Sequence, residues 1–276
     1  MFVWGRFILP RLIDLVMRNK AESAERARLV PLAAGRVLEI GIGSALNVPY
    51  YTSDLRCLVG VDPSQELWRI GRRRLVTSAF PIHYVTASAE KLPLADRCVD
   101  TILTTWTLCS IPNVSAALAE MRRVLSPGGR LLFIEHGRSP DPAVSRWQDR
   151  LTPLWARVAG GCHLNRPIAA LLADSGFHAL TLDSGYGDGP RVFSYLYRAS
   201  RSPRDDGLLR LAACVGLNAY PPDRLRAASP RKKKLPVVTM RSPVFTPSST
   251  CTESPMTAPS LTGRSAKRPS SPSTGT

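Results

Sequence analysis

A short apolar segment followed by two closely spaced glycines most constrains how this chain can fold. Residues 36–40 are largely apolar, contain Glu39, and lead directly into Gly41 and Gly43. Small residues and a segment that can start a helix follow, so we predict a strand, a tight turn and a helix. Such a turn places backbone N–H groups and a helix N-terminus beside a bound polar ligand. The sequence therefore predicts a ligand site at the end of this strand.

Strand-like and helix-like segments alternate along most of the chain. Apolar runs of strand length occur at 36–40, 57–61, 82–86, 99–104 and 130–135, and two later strands are predicted at 177–183 and 191–197. Repeated strand–helix units indicate a parallel sheet with helices on both faces. We predict an α/β fold with a doubly wound, mostly parallel, seven-stranded Rossmann-like sheet, an antiparallel late strand pair and N-terminal helices. Ligands of such sheets bind outside the carboxyl ends of the strands.

Composition divides the chain into three parts. We assign residues 1–30 to an N-terminal helical segment, 31–203 to the main domain and 204–276 to a basic tail rich in Pro and Ser. The net charge is +16, and more than half of it lies in residues 201–276. The tail can bury little apolar surface, so we predict that it is disordered. Its basic run is either a solvated cluster or a contact for nucleic acid or anionic lipid.

The N-terminal segment is apolar on one side but is interrupted by Arg6, Arg11 and Asp14. We interpret it as a helix packed on the main domain, or as one that also covers a site or touches a membrane surface. It does not resemble a secretory signal, and we expect no transmembrane segment. We therefore predict a cytoplasmic protein, with peripheral membrane contact as the alternative.

The cysteines show no metal-binding pattern. The chain has six of them, and no two stand in a CxxC arrangement. Because such spacing usually marks zinc sites and redox pairs, we predict no metal site. The cysteines are interpreted as buried free thiols in a reducing compartment.

The glycine turn does not match a dinucleotide or nucleoside-triphosphate fingerprint. A G-x-G-x-x-G motif would need glycine where Leu46 stands, and no P-loop lysine follows the turn. Asp62 follows the second strand, where it can accept hydrogen bonds from ribose hydroxyls. Residues 88–90 follow the third strand and can border an adenine. This combination suits S-adenosylmethionine, a nucleoside with a charged amino-acid end.

Five sequence blocks resemble class I S-adenosylmethionine-dependent methyltransferases. They are VLEIGIG, VGVDPS, ASAEKLPLADRCVDTI, EMRRVLSPGGRLLFIEHG and a late GPR, in the order and spacing of the ubiquinone/menaquinone-biosynthesis and phosphatidylethanolamine N-methyltransferases. The segments TWTLCSIPN and WQDRLTPLWARVAGGCHLNR are similar to the animal methyltransferase-like thiol methyltransferases and their bacterial relatives.

The resemblance implies roles for individual residues at the cofactor site. Residues at the methionine end, the ribose and the adenine would be, in chain order, Glu39, Gly41, Gly43, Asp62, Ser88, Ala89, Glu90 and Thr104. One departure concerns Ala45, because the family usually has glycine there. Its methyl group fits if φ is negative and crowds the turn otherwise.

The residues of the transfer site are less clearly marked. Methyl transfer from a sulfonium needs alignment and exclusion of water, and it needs a base only if the acceptor must lose a proton. His136 and Cys109 are the candidate catalytic residues, since His is the common general base near neutral pH. Candidate substrate-binding residues are Trp106, Trp147, Cys162 and His163. For the tryptophans and cysteines, ordinary packing is the competing interpretation.

We predict a methyltransferase that uses S-adenosylmethionine to methylate a small, fairly apolar acceptor: a thiol, a lipid amine or a quinol-type molecule. The alternative is a non-catalytic protein that keeps the cofactor fold and whose basic tail binds nucleic acid or anionic membrane. Nucleic acid is not expected as a substrate, since TTWTLC stands where an Asn-Pro-Pro-Tyr-type motif would follow the fourth strand.

Overall fold

The computed structural model describes residues 4–76, 78–179, 182–199, 209–211 and 238–240. The strands of this part of the chain are β1 Gly35–Ile40, β2 Leu55–Val61, β3 Ile82–Val85, β4 Val99–Thr105, β5 Leu125–His136, β6 Phe177–Ala179, β7 Leu182–Tyr186, β8 Tyr195–Ala199, β9 Leu209–Leu211 and β10 Val238–Met240.

These strands form one sheet in the order β10-β3-β2-β1-β4-β5-β8-β7, with β9 pairing β5 and β6. Strands β1 to β5 are parallel to one another. Strand β8 is antiparallel to β5, and β7 is antiparallel to β8. The central strands are buried on both faces, which explains their nearly continuous apolar runs. The predicted seven-stranded α/β fold is confirmed, and β6, β9 and β10 are three-residue additions to it.

One prediction near the C-terminal end needs correction. The expected strand 177–183 is divided into β6 and β7, and only β7 forms the antiparallel pair with β8. The tail predicted to be disordered lies outside the described residues except for β9 and β10. Those two segments join the sheet, because unpaired strand edges beside β5 and β3 accept further backbone hydrogen bonds.

The helices are α1 Leu9–Val16, α2 Lys20–Leu29, α3 Gln65–Val76, α4 Val114–Val124, α5 Pro142–Val158 and α6 Ile168–Asp174, and a π-helical turn Trp4–Ile8 precedes α1. Polar residues cap several of them, as is usual at helix N-termini. The side chain of Asn113 accepts from the backbone N–H of Ala116 at the start of α4, and Ser64 does the same for Leu67 in α3.

The N-terminal helices pack on the main domain through partly buried ion pairs. Asp14 in α1 is nearly inaccessible and pairs with Arg18 and with Arg74 of α3, where Nη1 lies 3.1 Å from Oδ1. Glu25 in α2 pairs with Arg198 of β8 at 3.0 Å. The helices thus cover the edge of the sheet where the parallel strands end. Within the described residues, no helix has the length and apolar character needed to span a bilayer.

Candidate active site

A cavity of about 1060 Å³ lies over the carboxyl ends of the parallel strands. This volume is at the upper end of what ligand sites usually have, so two ligands can occupy it side by side. The residues singled out from the sequence that line it are Glu39, Gly41, Gly43, Asp62, Ser88, Ala89, Trp106, Cys109, His136 and Cys162. The topology therefore gathers strand-end residues from across the chain into one site.

The glycine turn adopts left-handed backbone conformations. Gly41 and Gly43 have φ values of 73° and 51°. A Cβ atom on Gly41 would lie 2.2 Å from Oγ1 of Thr107, so no other residue fits there without displacing the β4 loop. Ala45 has φ of 62°, not the negative value that the sequence analysis required for an easy fit. Its side chain is nonetheless fully buried and does not line the cavity. The left-handed backbone at Ala45 therefore costs the folded protein about 1 kcal/mol, but the methyl group does not obstruct a ligand.

The carboxylate of Glu39 is held in a fixed position at the end of β1. Asn47 Nδ2 donates to Oε1 and the Tyr51 hydroxyl donates to Oε2, both at 2.8 Å. Burial raises the pKa of Glu39 to about 7, although the hydrogen bonds from Tyr51 and Asn47 oppose this shift. Asn47 and Tyr51 were missed in the sequence, where they follow the turn without any motif.

Asp62 connects the end of β2 to the glycine turn. Its Oδ2 accepts from the backbone N–H of Gly43 at 3.0 Å, and its Oδ1 accepts from Ser64 N–H at 2.7 Å. Each oxygen keeps a further lone pair, because an ionised carboxylate offers about four acceptor positions. Burial raises the pKa of Asp62 to about 6, against the two backbone hydrogen bonds. A ligand with paired hydroxyls can therefore bind to a carboxylate that is already oriented.

Residues expected at the adenine divide into two groups. Ser88 and Ala89 line the cavity, whereas Glu90 does not and its Oε1 accepts from Asn113 N–H at 2.6 Å. Glu90 thus fixes the start of α4. Thr104 is also outside the cavity wall, fully buried beside Glu135, and its neighbour Thr105 lines the cavity instead.

The transfer end of the cavity brings together two cysteines and a histidine. One ligand atom each of Cys109, His136 and Cys162 lies within 4.8 Å of the others. A hydrogen bond from the Cys109 thiol lowers the pKa of Cys162, and His136 contributes to this shift. The prediction of no metal site rested on the spacing of cysteines along the sequence, whereas this group of potential ligands comes from three separate segments.

The carboxylate of Glu135 holds the loop that carries Cys109 by accepting hydrogen bonds from its backbone. One carboxylate oxygen accepts from Thr107 N–H at 3.0 Å and the other from Cys109 N–H at 3.3 Å. Burial raises the pKa of Glu135 to about 7. Arg166 is buried beside this loop and donates to the carbonyl oxygens of Leu108 and Ile111, both at 2.6 Å. Arg166 thus holds the backbone of this loop in place, and no motif in the sequence marks it.

Two predicted substrate-binding residues lie outside the cavity. Trp147 is 53% exposed and stacks under Arg150. His163 contacts the carbonyl oxygen of Gly161 at 2.7 Å through Nδ1. Trp155, which follows Trp147 in the same helix, lines the cavity in their place.

The N-terminal helices close the cavity on its open side. Leu9 and Ile13 of α1 line it, together with Met17, which follows α1, and Arg26 of α2. Arg26 is buried, donates to Asn47 Oδ1 at 3.1 Å, and lies 4.9 Å above the ring of Trp106. This arrangement is the site-covering alternative that the sequence analysis left open for the N-terminal segment.

The residues present fit S-adenosylmethionine. Two buried carboxylates, Glu39 and Asp62, face the cavity and match the positive charges and ribose hydroxyls of this molecule. The buried indole N–H of Trp106 lines the cavity and has no hydrogen-bond partner among the described residues, so it is available to a ligand acceptor.

The doubly wound sheet and this cavity define an α/β protein that holds a nucleoside cofactor with a charged amino-acid end. A family profile described as a methyltransferase domain matches residues 38–133. The human protein named thiol S-methyltransferase TMT1B is 30% identical over 182 residues, which cover 64% of this chain and 74% of the human protein. The chain belongs to the class I S-adenosylmethionine-dependent methyltransferases.

Further comparisons agree with this family. The ubiquinone/menaquinone biosynthesis C-methyltransferase UbiE of Paraburkholderia phymatum is 38% identical over 81 residues, covering 29% of this chain and 33% of that protein. A solved S-adenosylmethionine-dependent methyltransferase from Thermotoga maritima matches the fold with a TM-score of 0.51 at 21% identity, covering 70% of this chain and 97% of that one. The chain spans 54% of the length of the rat and mouse thiol S-methyltransferases TMT1B.

Proposed function

We propose that this protein transfers a methyl group from S-adenosylmethionine to the sulfur of a small, apolar thiol. The observation that carries the proposal is the composition of the transfer end of the cavity. There Trp155 and Phe193 pack against the two cysteines of the cluster formed by Cys109, His136 and Cys162, and the apolar side chains of Leu9 and Ile13 line the same cavity. Apolar side chains of this kind favour an apolar acceptor. Of the acceptors that must lose a proton, a thiol loses its proton most easily near neutral pH.

The side chains divide the work of alignment. S-Adenosylmethionine supplies an electrophilic methyl group on a sulfonium. The glycine turn and Glu39 would hold its methionine end, and Asp62 would hold the ribose. Helix α1 covers the site, which excludes water and strengthens these electrostatic contacts. The acceptor thiol must lose its proton, and the side chains able to assist lie together at the transfer end.

The other acceptor classes have weaker support. A quinol-type carbon needs a dedicated base, and the quinone-pathway relative matches only 29% of this chain. The relatives described above are named as thiol and quinone-pathway methyltransferases, so a lipid amine gains no support from them. Those names all belong to methyltransferases, so the non-catalytic alternative gains no support from them.

A competition experiment tests the acceptor class. The full chain is incubated with labelled methyl donor and equal concentrations of an alkyl thiol, a demethylated quinol and phosphatidylethanolamine. We expect label in the thioether alone. Label in the quinol or the lipid, with none in the thioether, would contradict the thiol proposal while leaving the methyltransferase family intact.

We also propose that the protein works on the cytoplasmic side of a membrane and touches it peripherally. Phe7 and Leu15 are 48% and 67% exposed on the N-terminal helices, and Leu154 of α5 is 63% exposed. The two elements adjoin, since Trp4 Nε1 donates to the carbonyl of Val158 at 3.3 Å. Exposed apolar side chains with neighbouring arginines suit an anionic bilayer surface.

Sedimentation with anionic lipid vesicles tests this contact. Replacing Phe7 and Leu15 by Ser should reduce the bound fraction several-fold, because each replacement removes about 2 kcal/mol of apolar transfer. Val76→Ser, at another exposed apolar residue, is the matched control. Equal binding by all variants would refute membrane contact through the N-terminal helices.

A further inference from the structure

The cluster of Cys109, His136 and Cys162 is assembled from three distant parts of the chain. Cys109 follows β4, His136 ends β5, and Cys162 follows α5. One ligand atom from each residue lies within 4.8 Å of the other two. Both cysteines are free and buried, and all three residues line the cavity.

The backbone around the cluster is built to keep the two cysteines close. The N–H of His163, next to Cys162, donates to the carbonyl of Cys109 at 2.9 Å. Gly160 and Gly161 precede Cys162 with φ values of 64° and 86°, which sharply turn the chain toward the cavity. Glu135, adjacent to His136, accepts from Cys109 N–H. These contacts hold the three side chains near one another, so the strands need not move for the three ligand atoms to reach one ion.

The separation of the ligand atoms matches a tetrahedral metal centre. Zinc lies about 2.3 Å from thiolate sulfur and about 2.0 Å from imidazole nitrogen, so its ligands are roughly 3.5–3.8 Å apart. Small side-chain adjustments bring atoms within 4.8 Å to that spacing. Two thiolates and an imidazole are a soft donor set that favours zinc over calcium or magnesium.

We propose that Cys109, His136 and Cys162 bind one Zn²⁺ ion whose fourth position opens into the cavity. Three protein ligands with an open position are the pattern of catalytic zinc sites, whereas structural sites have four protein ligands. Because all three residues line the cavity, the open position faces the space assigned to the acceptor. The site is therefore suited to bind a thiol from outside.

The role of the ion rests on the proposed thiol methylation. An acceptor thiol binds the zinc as its thiolate and releases its proton to water, since only the thiolate is a ligand. A lone pair of this sulfur forms the bond to the methyl carbon. The bond from that carbon to the sulfonium breaks, and its electron pair stays on the departing S-adenosylhomocysteine sulfur. The product is a neutral thioether, a weaker ligand that leaves the metal.

Metal binding by the reduced full chain tests the site directly. Co²⁺ is titrated as a spectroscopic substitute, and Zn²⁺ content is measured after dialysis. We expect about one equivalent of metal and a thiolate-to-cobalt charge-transfer band. Cys109→Ser, Cys162→Ser and His136→Gln should each weaken binding about 10- to 100-fold or more. Cys98→Ser, at a free buried cysteine outside the cluster, should bind as tightly as the parent.

Separate readouts distinguish the outcomes. Calorimetry with S-adenosylmethionine reports whether each variant is folded. A folded reduced chain that binds neither metal would overturn the site, as would a Cys109–Cys162 disulfide found by mass spectrometry in the freshly purified protein. Metal binding without thiol methylation would refute the proposed function and leave the site. Undiminished thiol methylation by protein stripped of metal would refute the role of the ion and leave the proposed function.

Discussion

Close backbone approaches determine the shape of the glycine turn. Gly71 lies in α3 with its Cα against Ser44, and a Cβ there would lie 2.6 Å from the backbone carbon and oxygen of Ser44. Neither backbone atom can move without displacing the turn that lines the cavity. Helix α3 and the turn therefore form one packed unit.

Gly71→Ala should separate α3 from the turn. We expect a loss of about 1–3 kcal/mol in the free energy of unfolding and at least a roughly tenfold weaker affinity for S-adenosylmethionine. Denaturant unfolding and calorimetry measure the two effects. Gly185→Ala is the control, since a Cβ there meets no atom within 4 Å. Equal effects of both substitutions would show that the close approach is unimportant.

The buried carboxylates should make cofactor binding depend on pH. In the ligand-free protein the pKa of Asp62 is raised to about 6 and that of Glu39 to about 7. A cationic ligand and its ribose hydroxyls favour the ionised carboxylates, so binding must displace any proton they carry. The affinity therefore rises with pH below these values, by up to about tenfold per pH unit for each displaced proton, and levels off above them.

Calorimetric titration from about pH 5 to pH 7.5 measures this dependence. Asp62→Asn should bind weakly at all pH values and lose part of the slope. An affinity that is constant or falls over this range in the parent protein would contradict the assignment of these carboxylates to the cofactor.

At the scale of the elements, α1 is held over the cavity by one buried carboxylate. Asp14 pairs with Arg74, whose Nη1 also donates to the carbonyl of Ser44 at 2.7 Å in the glycine turn. The helix and the turn are thus joined through one guanidinium. Asp14 does not line the cavity. Its replacement therefore affects how firmly α1 is held and leaves the residues that line the cavity unchanged.

Asp14→Asn should allow α1 to open more often. We expect the dissociation rate of S-adenosylmethionine to rise roughly tenfold, since a half-buried ion pair contributes about 1 kcal/mol or more. Stopped-flow displacement measures this rate. Asp149→Asn breaks the ion pair of Asp149 with Arg138 outside the cavity and should leave the rate unchanged. An unaltered rate in Asp14→Asn would show that α1 does not retain the ligand.

The elements were predictable where burial imposes a simple pattern. Strands β1 to β5 are buried on both faces, so their apolar runs mark them clearly in the sequence. Strands β6 and β7 are short, and β7 is only partly buried, so the sequence did not separate them. Strand β7 pairs with β8 and β6 pairs with β9, and both partners lie along β5, so this pairing is a property of the assembled sheet.

At the scale of the whole molecule, the cavity combines segments with very different sequence separation. The glycine turn and Asp62 could be identified because they belong to one strand–helix–strand unit. Asn47, Arg26 and Arg166 could not, since each acts through contacts that exist only after the helices pack on the sheet. The cluster of Cys109, His136 and Cys162 could not be predicted either, because its members come from separate segments and no spacing in the sequence connects them.

The measurement that bears most directly on the cofactor site is the affinity of the full chain for S-adenosylmethionine, with and without Asp62. The parent protein should bind at one site, and Asp62→Ala should bind about 10- to 100-fold more weakly, as expected for hydrogen bonds to a charged group. Asp54→Ala, at an exposed residue outside the cavity, should bind like the parent. No detectable binding by the parent, or equal binding by Asp62→Ala, would contradict the site.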